Sequence, residues 1–287
     1  MKEFLSDFKK LIKLRLTFLV VFSASICFLI AKENWETINW QNWIKLIIGG
    51  FLVTGAANGF NEIIEKDLDK LMSRTADRPL PSGSMTTGQA LVLSLFMGIF
   101  GTYLLGSLNL TTGILSVFSI LFYAFIYTPL KRVGSVAVFM GAIPGALPPL
   151  IGYVAAHGKI DTFALVLFAI QFVWQFPHFW AIAWVLDDDY KKAGFRLLPT
   201  QKRDRTSAII TLLFAILLLP VSLLPTYFGF GGIVITGVSV ICSLVFIYQA
   251  LMLTIKMDIK SAKSLMYGSF FYLPIVQIVL LFDLIKK

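Results

Sequence analysis

Charge is scarce in this chain of 287 residues: 14% of it is Asp, Glu, Lys or Arg, against about 25% in ordinary soluble domains. That scarcity excludes a disordered tail or a nucleic-acid-binding scaffold. There are two cysteines, Cys27 and Cys242, both inside long apolar runs. They support neither a disulfide framework nor a thiolate metal site, and are expected as small buried residues. There are two histidines, His157 and His178. What is abundant is apolar: 57% of the residues, 26 of them Phe. One water-facing globular core cannot hide so much, so the expected class is an all-α integral membrane protein.

A bilayer core of about 30 Å needs about 20 apolar residues per helix. Nine segments approach that length, at 16–31, 43–60, 88–107, 110–128, 133–153, 162–185, 206–226, 231–255 and 264–283. Their centres are nearly free of ionisable side chains, so no ion relay of the kind found in pumps is expected within them. The N-terminal stretch carries Lys2, Lys9, Lys10, Lys13 and Arg15 but also Glu3 and Asp7, and lacks a small-residue cleavage site. It reads as neither a secretory signal nor a transit peptide, which favours a retained first span in a bacterial or archaeal plasma membrane.

Counted by alternate connections, twenty basic residues fall on the side of the N-terminus. The other side receives five, Lys32, Lys45, Lys159, Lys286 and Lys287. This bias predicts an N-terminus in the cytoplasm and a C-terminus outside, the last two lysines dissenting. Two long connections, 61–87 and 186–205, lie on the basic side and hold most of the clustered acids. They follow the second and sixth spans, which hints at a doubled four-helix plan with a ninth helix added, although residue identity between the halves is thin. No soluble domain or low-complexity linker interrupts the chain, so one membrane-embedded domain over 1–287 is expected.

The second span is expected to run on as a helix past the interface, with no Gly or Pro from Phe60 to Ala76. Asn61, Glu65 and Asp69 then share one face at i, i+4 and i+8. Hard oxygen donors so spaced suit Mg²⁺ shared with a phosphate. Arg74 and Arg78, again four apart, precede Pro79 and Pro81, which are expected to end the helix. Guanidinium forks match phosphate oxygens, so the group would suit a diphosphate. A salt-bridged, solvated extension built from Glu62 with Lys66, Lys66 with Asp69 and Asp67 with Lys70 is the competing reading.

The string Asn61-x-x-x-Glu65-x-x-x-Asp69-x-x-Met72-x-Arg74-Thr75-x-x-Arg78-Pro79 resembles the first motif of the UbiA superfamily of intramembrane prenyltransferases. With Glu at its middle position and Arg-Thr-x-x-Arg-Pro-Leu-Pro-Ser-Gly following, it is similar to the protohaem IX farnesyltransferase branch. After the sixth span, Trp174-Gln175-Phe176-Pro177-His178-Phe179-Trp180, then Asp187-Asp188-Asp189-Tyr190 and Ala193-Gly194, resemble that branch in particular. Phe195-Arg196-Leu197-Leu198-Pro199 departs from it where Met more often precedes Leu-Pro. Taken alone, the three aspartates fit either a second Mg²⁺ site or a polar helix stop balanced by Lys191 and Lys192.

The resemblance implies a UbiA-like bundle of nine helices around a cavity open to the cytoplasmic side and to lipid. Farnesyl diphosphate would be the donor and haem b the acceptor, with haem O as product and a haem A synthase as an open candidate to receive it. Asn61, Glu65, Asp69, Arg74, Arg78 and His178 would be catalytic, with Asp187, Asp188 and Asp189 joining the first three acids and amide as metal ligands. Asn58, Tyr127, Lys131, Arg132, Trp174, Gln175 and Tyr190 are candidates to bind substrate, the basic pair Lys131 and Arg132 fitting a positive-inside anchor equally well. His178 stands open between a packing role, iron ligation and proton transfer, whereas His157 is expected to be structural. Gly141-Ala142-Ile143-Pro144-Gly145-Ala146-Leu147-Pro148-Pro149 resembles the family's pocket-shaping element, and such interruptions are tolerated where neighbours satisfy the backbone. Phe172, Trp174, Phe176, Phe179 and Trp180 are candidates to face a carbocation. A polyprenyltransferase acting on an aromatic quinone precursor, and a transporter, are the two competing functions.

Overall fold

The computed structural model describes residues 2–32 and 35–285, and among these there are helices and no strands. In chain order they are α1 (Lys2–Leu11), α2 (Leu14–Ile30), α3 (Trp40–Asp69), α4 (Pro79–Ser82), α5 (Thr87–Gly106), α6 (Leu110–Leu121), α7 (Thr128–Leu130) and α8 (Val136–His157). There follow α9 (Thr162–Lys192), α10 (Arg205–Ser222), α11 (Leu224–Tyr227), α12 (Ile233–Lys256) and α13 (Ile259–Ile285). Eight of them, with short companions, are long and apolar enough to cross a bilayer, and α1 with α2 forms a ninth candidate bent by 52°. The protein is a multi-pass membrane protein. Lys286 and Lys287, counted above as dissenting charges, lie outside the described residues.

Neighbouring helices close a ring, α2 against α3, α3 against α5 and α6, α6 against α8, then α8, α9, α10, α12 and α13 in turn, with α13 returning to α2. The helices α8 and α2 also meet directly, and their closeness has a residue-level cause. A Cβ at Gly152 would overlap the Ala24 carbonyl, so only glycine lets the two backbones approach. Lipid is met by the opposite faces, where Phe96, Ile99, Tyr103, Leu110 and Ile233 are exposed. Without a hydrophobic drive between helices inside a bilayer, buried hydroxyls and amides join them. Ser23 donates to Gln171 (3.1 Å) and receives from Gln277 (2.8 Å), which ties α2, α9 and α13 together.

Three local breaks position the site. At Lys13 the backbone turns left-handed (φ 49°) and separates α1 from α2. Asn58 of α3 holds this break by donating to the Ile12 carbonyl (3.1 Å) and to Thr17 (3.3 Å). Second, residues Phe122–Tyr127 form a π-helix between α6 and α7. Pro129 has no N–H to give to Phe125, and the Thr128 hydroxyl bonds the Tyr123 carbonyl at 2.9 Å, so the wider turn is kept.

Third, α3 stops at Asp69, and the expected continuation to Pro79 does not form. The carboxylate of Asp189, at the end of α9, accepts the N–H of Ser73 (2.9 Å) and of Arg74 (3.3 Å). The Thr75 hydroxyl bonds the Asp69 carbonyl at 2.8 Å. These partners replace i→i−4 bonds, so residues 70–78 fold as turns and Pro79 opens α4, where its missing N–H costs nothing. Arg74 and Arg78 therefore do not continue one helical face.

Candidate active site

Asn61, Glu65 and Asp69 do share the inner face of the last two turns of α3, and all three are buried. Each is met by a cation. Lys131, from the turn after α7, lies 2.8 Å from one Glu65 oxygen and donates to the other at 2.9 Å. Arg78 Nη1 reaches Asp69 Oδ2 at 2.6 Å. Lys13, at the α1–α2 break, donates to Asn61 Oδ1 at 2.6 Å. The amide of Asn61 then donates to Glu65 Oε2 and to Thr128 Oγ1, both at 2.9 Å. One end of the bundle thus carries two carboxylates interleaved with three cations.

This packing perturbs the lysines in opposite senses. Burial and the neighbouring charges of Arg78 and Lys131 pull Lys13 down to about 7, with Glu65 and Asp69 opposing. Burial also acts against the charge of Lys131, but the adjoining Glu65 carboxylate outweighs it and raises that ammonium above its ordinary value. Below neutrality Lys13, Arg78 and Lys131 all carry charge at this end of the bundle, and an arriving polyanion meets three cations. Lys13 was missed by sequence reasoning, because nothing in its spacing sets it apart from the other N-terminal lysines.

The competing reading pairs Glu62 with Lys66 on a solvated face. Instead it is fully buried, and its carboxylate accepts the N–H of Leu80 (3.3 Å) at the start of α4. Lys66 reaches toward Thr87 (3.5 Å), and only Asp67 with Lys70 forms the exposed pair foreseen (3.6 Å).

The three consecutive aspartates do not converge, because successive helical residues point about 100° apart. Asp187 is buried against Lys191 (2.6 Å) and Arg203 (3.7 Å). Asp188 is exposed and pairs with Arg203 at 2.9 Å. Asp189 caps the 73–74 turn. Among the described residues no group of three His, Cys, Asp or Glu side chains stands ready to hold a metal. What the second motif does supply is contact with the first. Through Asp189, and through Tyr190, whose ring lies 5.9 Å from the Arg74 guanidinium, the two motifs meet at one end of the molecule. Arg74 and Arg132 are exposed there.

Beneath this head group lies a cavity of about 300 Å³ walled by α2, α3, the π-helix, α8, α9 and α13. Asn58, Tyr123, Tyr127, Trp174, Phe179 and His178 line it. Tyr127 carries the Lys131 ammonium 4.9 Å above its ring. A Cβ on Gly141 would come within 2.6 Å of the Tyr127 ring, so the glycine makes room for the phenol. Gln175 donates to the Ala142 carbonyl (3.0 Å), and Gln171 to the Gly145 carbonyl (2.7 Å), the one Pro149 cannot serve. Of the five aromatics expected near a cation, Trp174 and Phe179 face the cavity. Phe176 and Trp180 instead pack with Phe139 and Phe214 on the α10 side. The rim includes Leu16, Leu19 and Phe270, all exposed on the apolar flank.

Acids and cations gathered at one end of a membrane bundle, above a greasy cavity open at its side, define an intramembrane prenyltransferase, and the chain belongs to the UbiA prenyltransferase family, whose profile matches residues 20–274. Within it the chain is 48% identical over 276 residues to a protoheme IX farnesyltransferase of Cytophaga hutchinsonii, covering 96% of each chain. It is 43% identical to the enzyme of that name from Christiangramia forsetii, covering 97% of this chain and 93% of the other. Among solved structures, a digeranylgeranylglyceryl phosphate synthase shares the fold with a TM-score of 0.83 at 22% identity over the whole of both chains. A UbiA homologue from Archaeoglobus fulgidus bound to DMAPP and Mg²⁺ gives 0.63 at 14% identity, covering 94% of this chain and 99% of the other.

Proposed function

We propose that this chain is a protohaem IX farnesyltransferase, moving farnesyl from its diphosphate to a vinyl group of haem b to give haem O. The observation that carries the reading is the Glu65/Asp69 carboxylate pair, laced with Lys13, Arg78 and Lys131, at the head of the aromatic-lined cavity. The names of the relatives at 43–48% identity supply the acceptor.

The donor set fits Mg²⁺. Asp69 Oδ1 is buried with no hydrogen-bond partner, and two carboxylates with an amide oxygen are hard ligands of the kind this ion shares with phosphate. Bound by Asn61, Glu65 and Asp69, the ion would neutralise charge on the leaving diphosphate. Lys131 and Arg78 exchange part of their carboxylate contacts, and Lys13 its contact with the Asn61 amide oxygen, for phosphate oxygens, with Arg74 at the edge. Relief of that charge lets the allylic C–O bond break, its electron pair leaving on the diphosphate. Tyr123, Tyr127, Trp174 and Phe179 line the space the cation would enter, where an aromatic face is worth up to about 2 kcal/mol when water is excluded. The vinyl π electrons close the new C–C bond, and water adds to the resulting cation with loss of a proton. Asp187 and Asp188 stand nearer Arg203 than the cavity and are assigned to holding the 193–204 connection, with Asp189 fixing the arginine turn.

The chain acts as one domain, in a plasma membrane, with the site facing the cytoplasm. Haem O formation from haem b and farnesyl diphosphate in membranes carrying Glu65→Ala or Asp69→Ala tests the proposal, with a fall of about 10²–10³-fold expected for either. Wild-type turnover in both would refute it, and prenylation of an aromatic acid in place of haem would reassign the acceptor.

A further inference from the structure

His178 Nδ1 lies 2.7 Å from the hydroxyl of Ser269 on α13. That hydroxyl donates its single hydrogen to the Met266 carbonyl one turn back in its own helix. With that hydrogen given to Met266, the oxygen accepts from the imidazole, which assigns the ring hydrogen to Nδ1. In the neutral ring the lone pair is then on Nε2. Among the described residues no hydrogen bond reaches Nε2, while His178 is part of the cavity wall.

The ring is also locked in plane. Trp174 stacks on it at 4.5 Å and 16°, and Phe270 and Phe179 flank it at 5.4 and 5.3 Å. The indole N–H of Trp174 donates to the carbonyl of the same Ser269 at 3.2 Å. One residue of α13 thus orients both members of the stack. A histidine in a cavity wall whose Nδ1 is committed to a fixed partner, with no protein hydrogen bond on Nε2 among the described residues, is arranged as a metal ligand is.

We propose that His178 Nε2 is an axial ligand to the iron of the tetrapyrrole substrate, and that Ser269 is the positioning residue that sets its tautomer and aim. The inference rests on haem as acceptor. Coordination needs no further reactant, since the imidazole lone pair takes the place of a water on iron. It anchors the macrocycle about its centre, leaving the vinyl edge to reach the prenyl cation beneath the diphosphate site.

The test is a titration of the full-length protein in lipid nanodiscs with ferric protohaem, without prenyl diphosphate, read by the Soret band and electron paramagnetic resonance. The wild type gives the signature of nitrogen ligation. His178→Ala loses it and recovers it on addition of free imidazole, and His178→Met moves it to that of a thioether ligand. Ser269→Ala keeps the imidazole but weakens haem binding about tenfold or more, as loss of a ligand's outer partner does, while Ser269→Thr restores it. An unchanged spectrum in both His178 variants overturns the ligation, and wild-type haem affinity in Ser269→Ala overturns the positioning role. A His178-dependent spectrum in a protein that forms no haem O would refute the transfer reading and leave the ligation standing. Haem O formation without such a spectrum would do the reverse.

Discussion

At the scale of single residues, Lys13 shows what the site asks of an arriving substrate. Its ammonium is held near a pKa of 7 by burial and by two neighbouring cations, so its charge is present at lower pH and is lost as pH rises through neutrality. A polyanion binds best while the charge is there. Michaelis constants for the prenyl diphosphate should therefore rise as pH passes from 6 to about 8. In Lys13→Met the constant should be high and nearly flat with pH, and steady-state kinetics across that range will show whether the slope belongs to this lysine. The Lys131–Glu65 pair behaves differently. With both partners buried, removing one strands the other, so Lys131→Met should cost about 3–5 kcal/mol of stability as well as activity. Thermal unfolding of purified protein in detergent reads that loss, and a variant as stable as the wild type would contradict it. Lys13 could not be singled out by inspection of the chain, because its importance arises from a left-handed residue that turns it onto Asn61. Asn61, Glu65 and Asp69 could, because an i, i+4, i+8 spacing on a helix leaves little freedom in where the side chains go.

At the scale of elements, the turn of residues 70–78 is suspended between two anchors. Asp189 grips Ser73 and Arg74 from one side, while Lys10 of α1 holds Asp77 from the other, by its carbonyl at 2.9 Å and its carboxylate at 3.0 Å. Asp189→Ala removes the acceptor of the Ser73 N–H, the Ser73 hydroxyl and the Arg74 N–H and should loosen the turn, with about 1–3 kcal/mol lost locally. We expect faster proteolysis between residues 70 and 78, and a higher Michaelis constant for the diphosphate through displaced Arg78, with overall unfolding temperature little changed. The helix spans were legible from hydropathy alone, and their ends moved by a few residues at most sites. The end of α3 was not legible, because it is decided by a carboxylate more than a hundred residues away. The π-turn at Phe122–Tyr127 escaped for a similar reason. Pro129 announces a disturbance, but only the packed structure tells which wider turn absorbs it.

At the scale of the whole molecule, helices meet through glycines with no room for a side chain, and Gly152 is the tightest against backbone among the described residues. Gly152→Ala sets a methyl against the Ala24 carbonyl, and a backbone atom cannot rotate away. The expected result is α2 parted from α8, at least about 1–3 kcal/mol of lost stability, and a poorly folded product on size-exclusion chromatography. The basic bias of the connections yields a further expectation. A reporter active only outside the cytoplasm should work when inserted near Gly158 and fail when inserted near Gln201. The enclosing architecture was implied by nine apolar runs and by family likeness. The assignment of aromatics to wall or packing was not, because Phe176 and Trp180 differ from Trp174 and Phe179 by helical phase against neighbours the sequence does not name.

The Ser23–Gln171–Gln277 tie joins the earliest long helix to the last across 254 residues. During synthesis the compartment therefore stays gaping until α13 arrives, since Phe270, Leu273 and Pro274 complete its wall. A reactive allylic cation generated in such a half-built vessel would be quenched by stray water. Because Ser269 sits on that same final helix, the nascent chain cannot aim its imidazole before it can shut out solvent, and competence and containment come of age together.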